Sequence, residues 1–343
     1  MAYLSFSSSR VLIHRALISC ALCVSSLAIA ADLQPAITAF NELHYSDAKP
    51  LFEAAVKDVG SRNDALYYLG RIAFEEGDAE KAKGFLEQSV NLVPNTSDEY
   101  YWFGRAYAEL AQRANILKQA SYAFNVHKYF QLAVDTDSKS VEAQRGLFAF
   151  YIMAPSIMGG GVDKAEKALN DIRLLSPVDA DIKQLDIFAK KEDVDKSLVQ
   201  AKFLVTTYPL SAEALFRAAH VLREQKKLED AIVSFEAASK LPVTPHNRVF
   251  VEASLLHFGE TCQWANARLD EAIESLEKYL AIKAGTKNIE LNGPRWTLAM
   301  LYRQKGNMEK YRNLRKQLDP AFIKQHKWIK EQVEKFDVQD KKA

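Results

Sequence analysis

Residues 63–94 read NDALYYLGRIAFEEGDAEKAKGFLEQSVNLVP, and part of this segment recurs 34 residues further along the chain. The matching residues fall on one face of a helix: Asp64 with Asp98, Tyr67 with Tyr101, Gly70 with Gly104, Arg71 with Arg105 and Glu75 with Glu109. Helix pairs that repeat at this length cannot each bury their own apolar face, so they stack into a solenoid. The sequence therefore predicts an extended array whose concave surface binds other molecules.

The residues between these identities carry a more specific pattern. Its positions are Leu66, Leu69, Gly70, Gly77, Ala82, Leu86 and Pro94, followed in the next copy by Tyr100, Phe103, Gly104 and Tyr107. Small residues let two helix backbones approach closely, and the large apolar residues fill the space around them. This pattern resembles the tetratricopeptide repeat. The resemblance implies an all-α fold, a right-handed superhelical solenoid of antiparallel helix pairs.

The resemblance extends over nearly all of the chain after residue 30. We predict about seven to eight helix pairs in residues 31–320, a capping helix at 321–336 and a disordered tail at 337–343. Repeat three carries extra residues at 111–122, which either extra turns on both helices or a projecting loop would accommodate. Repeat seven is predicted to hold a long turn at 260–268.

The first thirty residues have the composition of a secretory signal. Arg10 and Arg15 precede an apolar run at 16–30, and Ala28 and Ala30 supply the small residues that a signal peptidase needs. We therefore expect cleavage after Ala30 and a periplasmic protein. An uncleaved anchor is one alternative, and lipidation at Cys20 is another because residues 17–20 resemble a lipobox.

Charge and cysteine content limit the partners and the covalent cross-links that are possible for the mature chain. Removal of residues 1–30 takes away two arginines and no acid, which changes the formal net charge from +1 to −1. A near-neutral chain argues against nucleic acid as a general partner. Cys20 and Cys23 leave with the signal, so Cys262 alone remains and no disulfide can form within the mature chain.

The strongest site candidate is the repeated set on the first helix of two neighbouring repeats. Its members are Tyr67, Arg71, Glu75, Tyr101, Arg105 and Glu109. Residues four apart share a helical face, and the resemblance places this face in the concave groove, where a protein or peptide partner would bind. Tyrosine and arginine also dominate binding hot spots. The alternative is that Arg71 with Glu75, and Arg105 with Glu109, form solvated ion pairs.

The groove differs from the lysine and asparagine clamp with which some members of the family hold the carboxylate ends of chaperones. Tyr67 and Arg71 occupy the positions expected for that clamp, so a co-chaperone role is disfavoured.

The sequence contains no catalytic constellation. Glycines 159–161 lack the lysine and hydroxyl of a phosphate loop, and the histidines form no pair at metal-ligand spacing. We therefore predict a protein that is not an enzyme and has no metal site or cofactor. Residues 303–330 carry nine lysines or arginines, which would suit an acidic partner or a membrane surface, although a solvated face is the simpler interpretation.

Together these features predict a non-enzymatic protein-binding scaffold or adaptor of the bacterial cell envelope. A lipidated or membrane-anchored subunit of an envelope assembly or transport machine is the alternative. A protein that binds a glycan or small ligand is a third class, which would require a closed pocket.

Overall fold

The computed structural model describes residues 32–92, 95–285 and 291–340, with the backbone alone at 337–340. The predicted signal peptide, Pro94 and the last three residues lie outside the described residues.

The described residues form eighteen α-helices, and each even-numbered helix packs against the odd-numbered helix that precedes it. The helices are α1 (Gln34–Asn41), α2 (Tyr45–Ala55), α3 (Arg62–Glu75), α4 (Ala79–Val90), α5 (Ser97–Arg113), α6 (Ile116–Thr136), α7 (Val141–Met153), α8 (Val162–Leu175), α9 (Pro177–Lys190), α10 (Val194–Thr207), α11 (Ala212–Glu224), α12 (Leu228–Ser239), α13 (Arg248–Ala265), α14 (Leu269–Lys283), α15 (Asn292–Gln304), α16 (Met308–Lys316), α17 (Pro320–Gln325) and α18 (Lys327–Asp340). The predicted all-α solenoid of helix pairs is confirmed.

Local signals in the sequence set the helix starts. The Asp78 side chain accepts a hydrogen bond from the backbone N–H of Lys81 at the start of α4. Thr96 and Glu99 form a capping box at the start of α5, in which each side chain satisfies a backbone N–H of the other residue. Between α3 and α4 the chain turns at Gly77, whose φ of +80° is a conformation that glycine adopts without strain.

The two helices of a pair touch where the sequence has small residues. A Cβ atom placed on Gly70 of α3 would lie 2.5 Å from Cγ of Leu86 on α4. A Cβ atom on Gly104 of α5 would lie 2.7 Å from the Phe130 ring on α6. Both distances are shorter than van der Waals contact, so only glycine fits this packing without a shift of the neighbouring side chain.

The extra residues of repeat three lengthen its helices. Helix α5 has 17 residues and α6 has 21, and Ala114 and Asn115 alone connect them. Asn115 caps α6 by accepting a hydrogen bond from the backbone N–H of Lys118. Of the two predicted arrangements, extra turns on both helices is therefore the one that the structure adopts.

Successive odd-numbered helices from α3 to α15 contact one another, and the even-numbered helices do not form an equivalent series. In a stack of helix pairs, the layer whose helices lie closer together is the concave one. We call the face formed by α3, α5, α7, α9, α11, α13 and α15 the inner surface.

The prediction of a long turn at 260–268 is wrong. Helix α13 continues through Ala265, and three residues connect it to α14. Asn266 and Arg268 both have left-handed backbone conformations, which reverse the chain within that short distance. Thr261 and Cys262 are fully buried within the helix, so packing favours its continuation.

The predicted single capping helix is divided into two. Pro320 occupies the first turn of α17, the Asp319 side chain caps it, and the backbone leaves the helical conformation at His326 before α18 begins. The backbone of α18 continues to Asp340, where a disordered tail was predicted from residue 337. Phe322 and Ile329 are buried against Trp296, so both helices cover the end of the array.

Two glycine-to-alanine changes test the close helix contact. Gly104→Ala and Gly84→Ala each add one methyl group within a helix, and no other heavy atom lies within 4 Å of a Cβ at Gly84. We expect Gly84→Ala to stabilise the protein by about 0.5–1 kcal/mol. The added methyl group of Gly104→Ala overpacks against Phe130. The free energy of unfolding of Gly104→Ala should therefore be about 1–3 kcal/mol lower than that of Gly84→Ala. Chemical denaturation measures both values, and equal stabilisation would contradict the packing described.

Candidate functional site

The two repeated arginines, Arg71 and Arg105, both contact the ring of Trp102. The guanidinium carbon of Arg71 on α3 lies 4.4 Å from the ring centroid of Trp102, and that of Arg105 on α5 lies 4.3 Å from it. Phe40 lies 4.6 Å from Arg71, and Phe74 lies 4.5 Å from Arg105. These are the two nearest aromatic rings of each arginine, and Tyr67 and Tyr101 lie farther away, at 5.6 Å from Arg71 and 5.9 Å from Arg105. We call Arg71, Arg105, Phe40, Phe74 and Trp102 the arginine–aromatic cluster.

The cluster follows from the repeat itself. Phe40 precedes Phe74 by 34 residues, and Arg71 precedes Arg105 by the same distance. Stacking of successive repeats therefore places one phenylalanine–arginine contact beside the next, with Trp102 between them. A cation over an aromatic face contributes roughly 0.5–2 kcal/mol, more as the pair loses water.

The ion pairs considered for these arginines do not form. Glu75 instead pairs with Arg248, and Glu109 pairs with Arg113 at 2.6 Å. Among the described residues, no carboxylate forms a salt bridge with Arg71 or Arg105. The Nη1 group of Arg71 donates to the Tyr67 hydroxyl at 3.3 Å, and the buried Nε of Arg71 has no hydrogen-bond partner in the part of the chain that is described.

Other arginines of the inner surface are paired with acids. Arg145 on α7 bonds Asp179 at 2.9 Å and Glu213 at 2.6 Å. Arg217 on α11 pairs with Asp186. The central inner surface therefore neutralises itself, whereas the arginine–aromatic cluster keeps two uncompensated positive charges.

Glu213 shows how closely that central network is balanced. It also bonds Lys183 at 3.1 Å. Burial by itself would raise the pKa of the Glu213 carboxyl, but Lys183 and Arg145 outweigh burial and hold the pKa below its usual value. An external anion would find no free cation there.

The predicted tyrosines support the arginines and contribute little open surface. Tyr67 is only 9% exposed and packs in the core, where burial raises the pKa of its hydroxyl. Tyr101 is half-buried, and its ring centroid lies 5.9 Å from that of Trp102. Of the six predicted site residues, the structure therefore brings Arg71 and Arg105 together, and the two glutamates are engaged elsewhere.

Sequence reasoning missed Trp102, Phe40 and Phe74. The 34-residue spacing of the two phenylalanines was available as a signal, and so was Trp102, which stands 34 residues after Tyr68. Phe40 lies before residue 63, where the compared segment begins, and Tyr68 and Trp102 share aromatic character without being identical.

A long-range contact joins the start of α13 to the end of α3, next to this cluster. Arg248 at the start of α13 bonds Glu75 at the end of α3, 173 residues away in sequence. Its guanidinium also lies 5.6 Å from the Tyr45 ring. Burial, with the nearby Glu75 carboxylate, raises the pKa of Tyr45 to about 12. The start of repeat seven therefore touches repeats one and two.

Family models agree with this architecture. A tetratricopeptide repeat model matches residues 35–95, and a second model of the same repeat matches residues 212–242. The chain is a tetratricopeptide repeat protein. No curated protein matches its sequence.

Two solved structures share the fold at low sequence identity. Yeast Tom70 aligns with a TM-score of 0.61 and 15% identity, over 90% of this chain and 64% of that one. A tetratricopeptide repeat protein from Parabacteroides merdae aligns with a TM-score of 0.51 and 13% identity, over 78% of this chain and 96% of the other. At these identities the likeness concerns the fold alone.

Neither a metal site nor a membrane span occurs in the described part of this tetratricopeptide repeat protein. The described residues contain no group of three histidine, cysteine, aspartate or glutamate side chains that could hold a metal ion. Within the same ranges, no helix combines the length and the apolar character needed to cross a membrane.

The basic segment 303–330 is partly paired. Lys305 bonds Asp270, and Lys330 lies 3.8 Å from Glu334. Arg303 lies 4.0 Å from the Phe336 ring. Several of its charges are therefore used within the protein, which supports the interpretation as a solvated face.

Proposed function

We propose that this protein is a non-enzymatic scaffold of the bacterial cell envelope that holds an acidic segment of a protein partner on its inner surface. Tetratricopeptide repeat proteins generally act as protein-binding scaffolds. The observation that carries the finer proposal is the pair of arginines, Arg71 and Arg105, stacked on aromatic rings without a carboxylate partner among the described residues.

The geometry of the cluster suits a carboxylate ligand. A guanidinium presents several N–H donors in a rigid plane that matches a carboxylate, and stacking on an aromatic ring leaves its edge free to donate. Phe40, Trp102 and Phe74 fix both side chains, so little conformational entropy is lost when a ligand binds. Half-burial of the arginines also reduces screening by salt.

The charge distribution supports a peptide segment as the ligand. The two cations lie at the N-terminal end of an inner surface whose central charges are already balanced. A nucleic acid would require a longer run of free cations to neutralise successive phosphates. A short acidic stretch of a protein needs only these two.

Loss of the two positive charges should weaken this interaction strongly. We expect the double variant Arg71→Met and Arg105→Met to keep the apolar packing and to weaken partner affinity by about 30-fold or more, since an interface arginine contributes roughly 2 kcal/mol or more. The partner is first captured by crosslinking in the native compartment and identified by mass spectrometry. Titration calorimetry with the purified partner then gives the dissociation constants.

Arg173→Met is the matched control. Arg173 lies on α8, which is not part of the inner surface, and bonds Asp181 at 3.0 Å, so its loss should leave partner affinity unchanged. A double variant with native helicity and melting temperature that still binds at full strength would move the site elsewhere, with residues 111–122 the next candidate.

The envelope assignment rests on export, which the N-terminal composition supports. We expect the protein purified from its own cells to begin at Ala31, because Ala28 and Ala30 are the well-placed small residues after the apolar run. Intact-mass measurement decides this. A lipid-modified N-terminus at Cys20 would favour the anchored subunit of an envelope machine, and retention of Met1 would contradict a cleaved, soluble periplasmic protein.

A further inference from the structure

A second concave site lies at the opposite end of the array from the arginine–aromatic cluster. A cleft of about 420 Å³ opens between the end of α13, the helix α15 and the terminal helices α17 and α18. Its volume falls within the range of roughly 300–1,000 Å³ that is usual for small-molecule sites. Three of the four tryptophans of the chain line it: Trp264, Trp296 and Trp328.

Two of these indoles face solvent. Trp264 is 60% exposed and Trp328 is 54% exposed, whereas Trp296 is buried and forms part of the wall. The ring centroids of Trp296 and Trp328 lie 6.4 Å apart in an edge-to-face arrangement. Exposure of large aromatic surface costs free energy unless a ligand covers it, so two exposed indoles at one cleft indicate a binding surface.

The charges around the cleft exclude a strongly charged ligand. Among the described residues of its lining, Glu260 is the one carboxylate and none is a lysine or arginine; the Glu260 carboxylate bonds His257 at 2.8 Å and Arg223 at 3.4 Å. The lining also holds His326, whose Nδ1 lies 2.8 Å from the Phe322 carbonyl oxygen. Arg223 also lies 5.0 Å from the Trp264 ring, but Glu260 balances its charge. Neither a phosphate nor an ammonium group would find an unpaired counter-ion there.

The lining also holds the polar side chains of Thr297 and His326 and two amides that have hydrogen-bonding capacity to spare. The side chains of Gln263 and Gln332 line the cleft, and neither forms a hydrogen bond with another described residue. Each amide offers donors and an acceptor. A purely apolar ligand would leave these groups without partners and would lose their hydrogen bonds to water.

We propose that this cleft binds a neutral saccharide. A sugar ring presents an apolar C–H face, which stacks on an indole, and a rim of hydroxyl groups, which bond amide side chains. The cleft supplies both elements, with Trp264 and Trp328 as stacking surfaces and with Gln263 and Gln332 as hydrogen-bonding groups. This site is independent of the arginine–aromatic cluster and adds a ligand to the proposed protein scaffold.

Titration calorimetry of the full-length mature protein with cellotriose, maltotriose and triacetylchitotriose tests this proposal. All three probes are neutral trisaccharides. We expect at least one to bind, and we expect the double variant Trp264→Ala and Trp328→Ala to weaken that binding about tenfold or more. The double variant Gln263→Ala and Gln332→Ala should weaken it as well, because the hydroxyl groups lose their partners.

Phe124→Ala is the matched control. Phe124 is an aromatic residue of α6 that is 70% exposed and lies outside the cleft, so its loss should leave saccharide binding unchanged. Circular dichroism establishes that each variant is folded, and the single Trp264→Ala variant replaces the double one if that fails to fold.

Three outcomes would overturn the proposal. The first is no binding of any of the three sugars at concentrations up to about 10 mM, which corresponds to a binding free energy weaker than roughly 3 kcal/mol. The second is binding that survives loss of both tryptophans. The third is binding of a neutral apolar peptide such as acetyl-Leu-Trp-Leu-amide that depends on the tryptophans but not on Gln263 and Gln332, which would identify an anchor site for a protein side chain.

Discussion

The close contact between the two helices of each pair is the constraint on which the rest of the structure depends. Gly70 and Gly104 leave room for Leu86 and Phe130, and this sets the distance between the layers of the array. Successive pairs then stack with their odd-numbered helices along one face. Residues 34 apart in sequence consequently become neighbours in space. The contact of Arg71 and Arg105 with a shared Trp102 is a direct result of that arrangement.

The inner surface uses arginine in two physical ways. In the middle of the array, Arg145 and Arg217 are neutralised by acids from neighbouring helices. At the N-terminal end, aromatic rings hold Arg71 and Arg105, and a cation–π contact leaves the formal charge of the guanidinium in place. Similar residue types therefore stabilise the array in one region and leave a charge available to a ligand in another.

Much of this could be read from the sequence because repeats convert sequence period into spatial proximity. The fold, the longer third repeat and the adjacency of Arg71 and Arg105 all follow from local spacing. The contact of Glu75 with Arg248 could not be predicted in this way. It depends on the sum of small rotations over several helix pairs, and no local pattern encodes that sum.

Smaller errors had local causes. The sequence predicts a turn from residue 260 because polar residues such as Glu260 and Gln263 interrupt the apolar pattern of α13, whose buried face includes Cys262. The sequence predicts one terminal helix because Phe322, Ile329 and Phe336 keep helical spacing across the break at His326. The tryptophan cleft depends on residues from α13, α15, α17 and α18, so only the assembled fold brings it together.

NMR spectroscopy of the arginine Nε–Hε groups is the most direct test of the claim that Arg71 and Arg105 are the receptors for an acidic ligand. Single arginine-to-lysine variants assign the signals, and a hexaglutamate peptide is then titrated into the protein. We expect the signals of Arg71 and Arg105 to shift together and saturate, while those of the paired Arg145 and Arg217 stay in place. Shifts confined to Arg145 and Arg217, or no shift of Arg71 and Arg105 at saturating peptide, would contradict it.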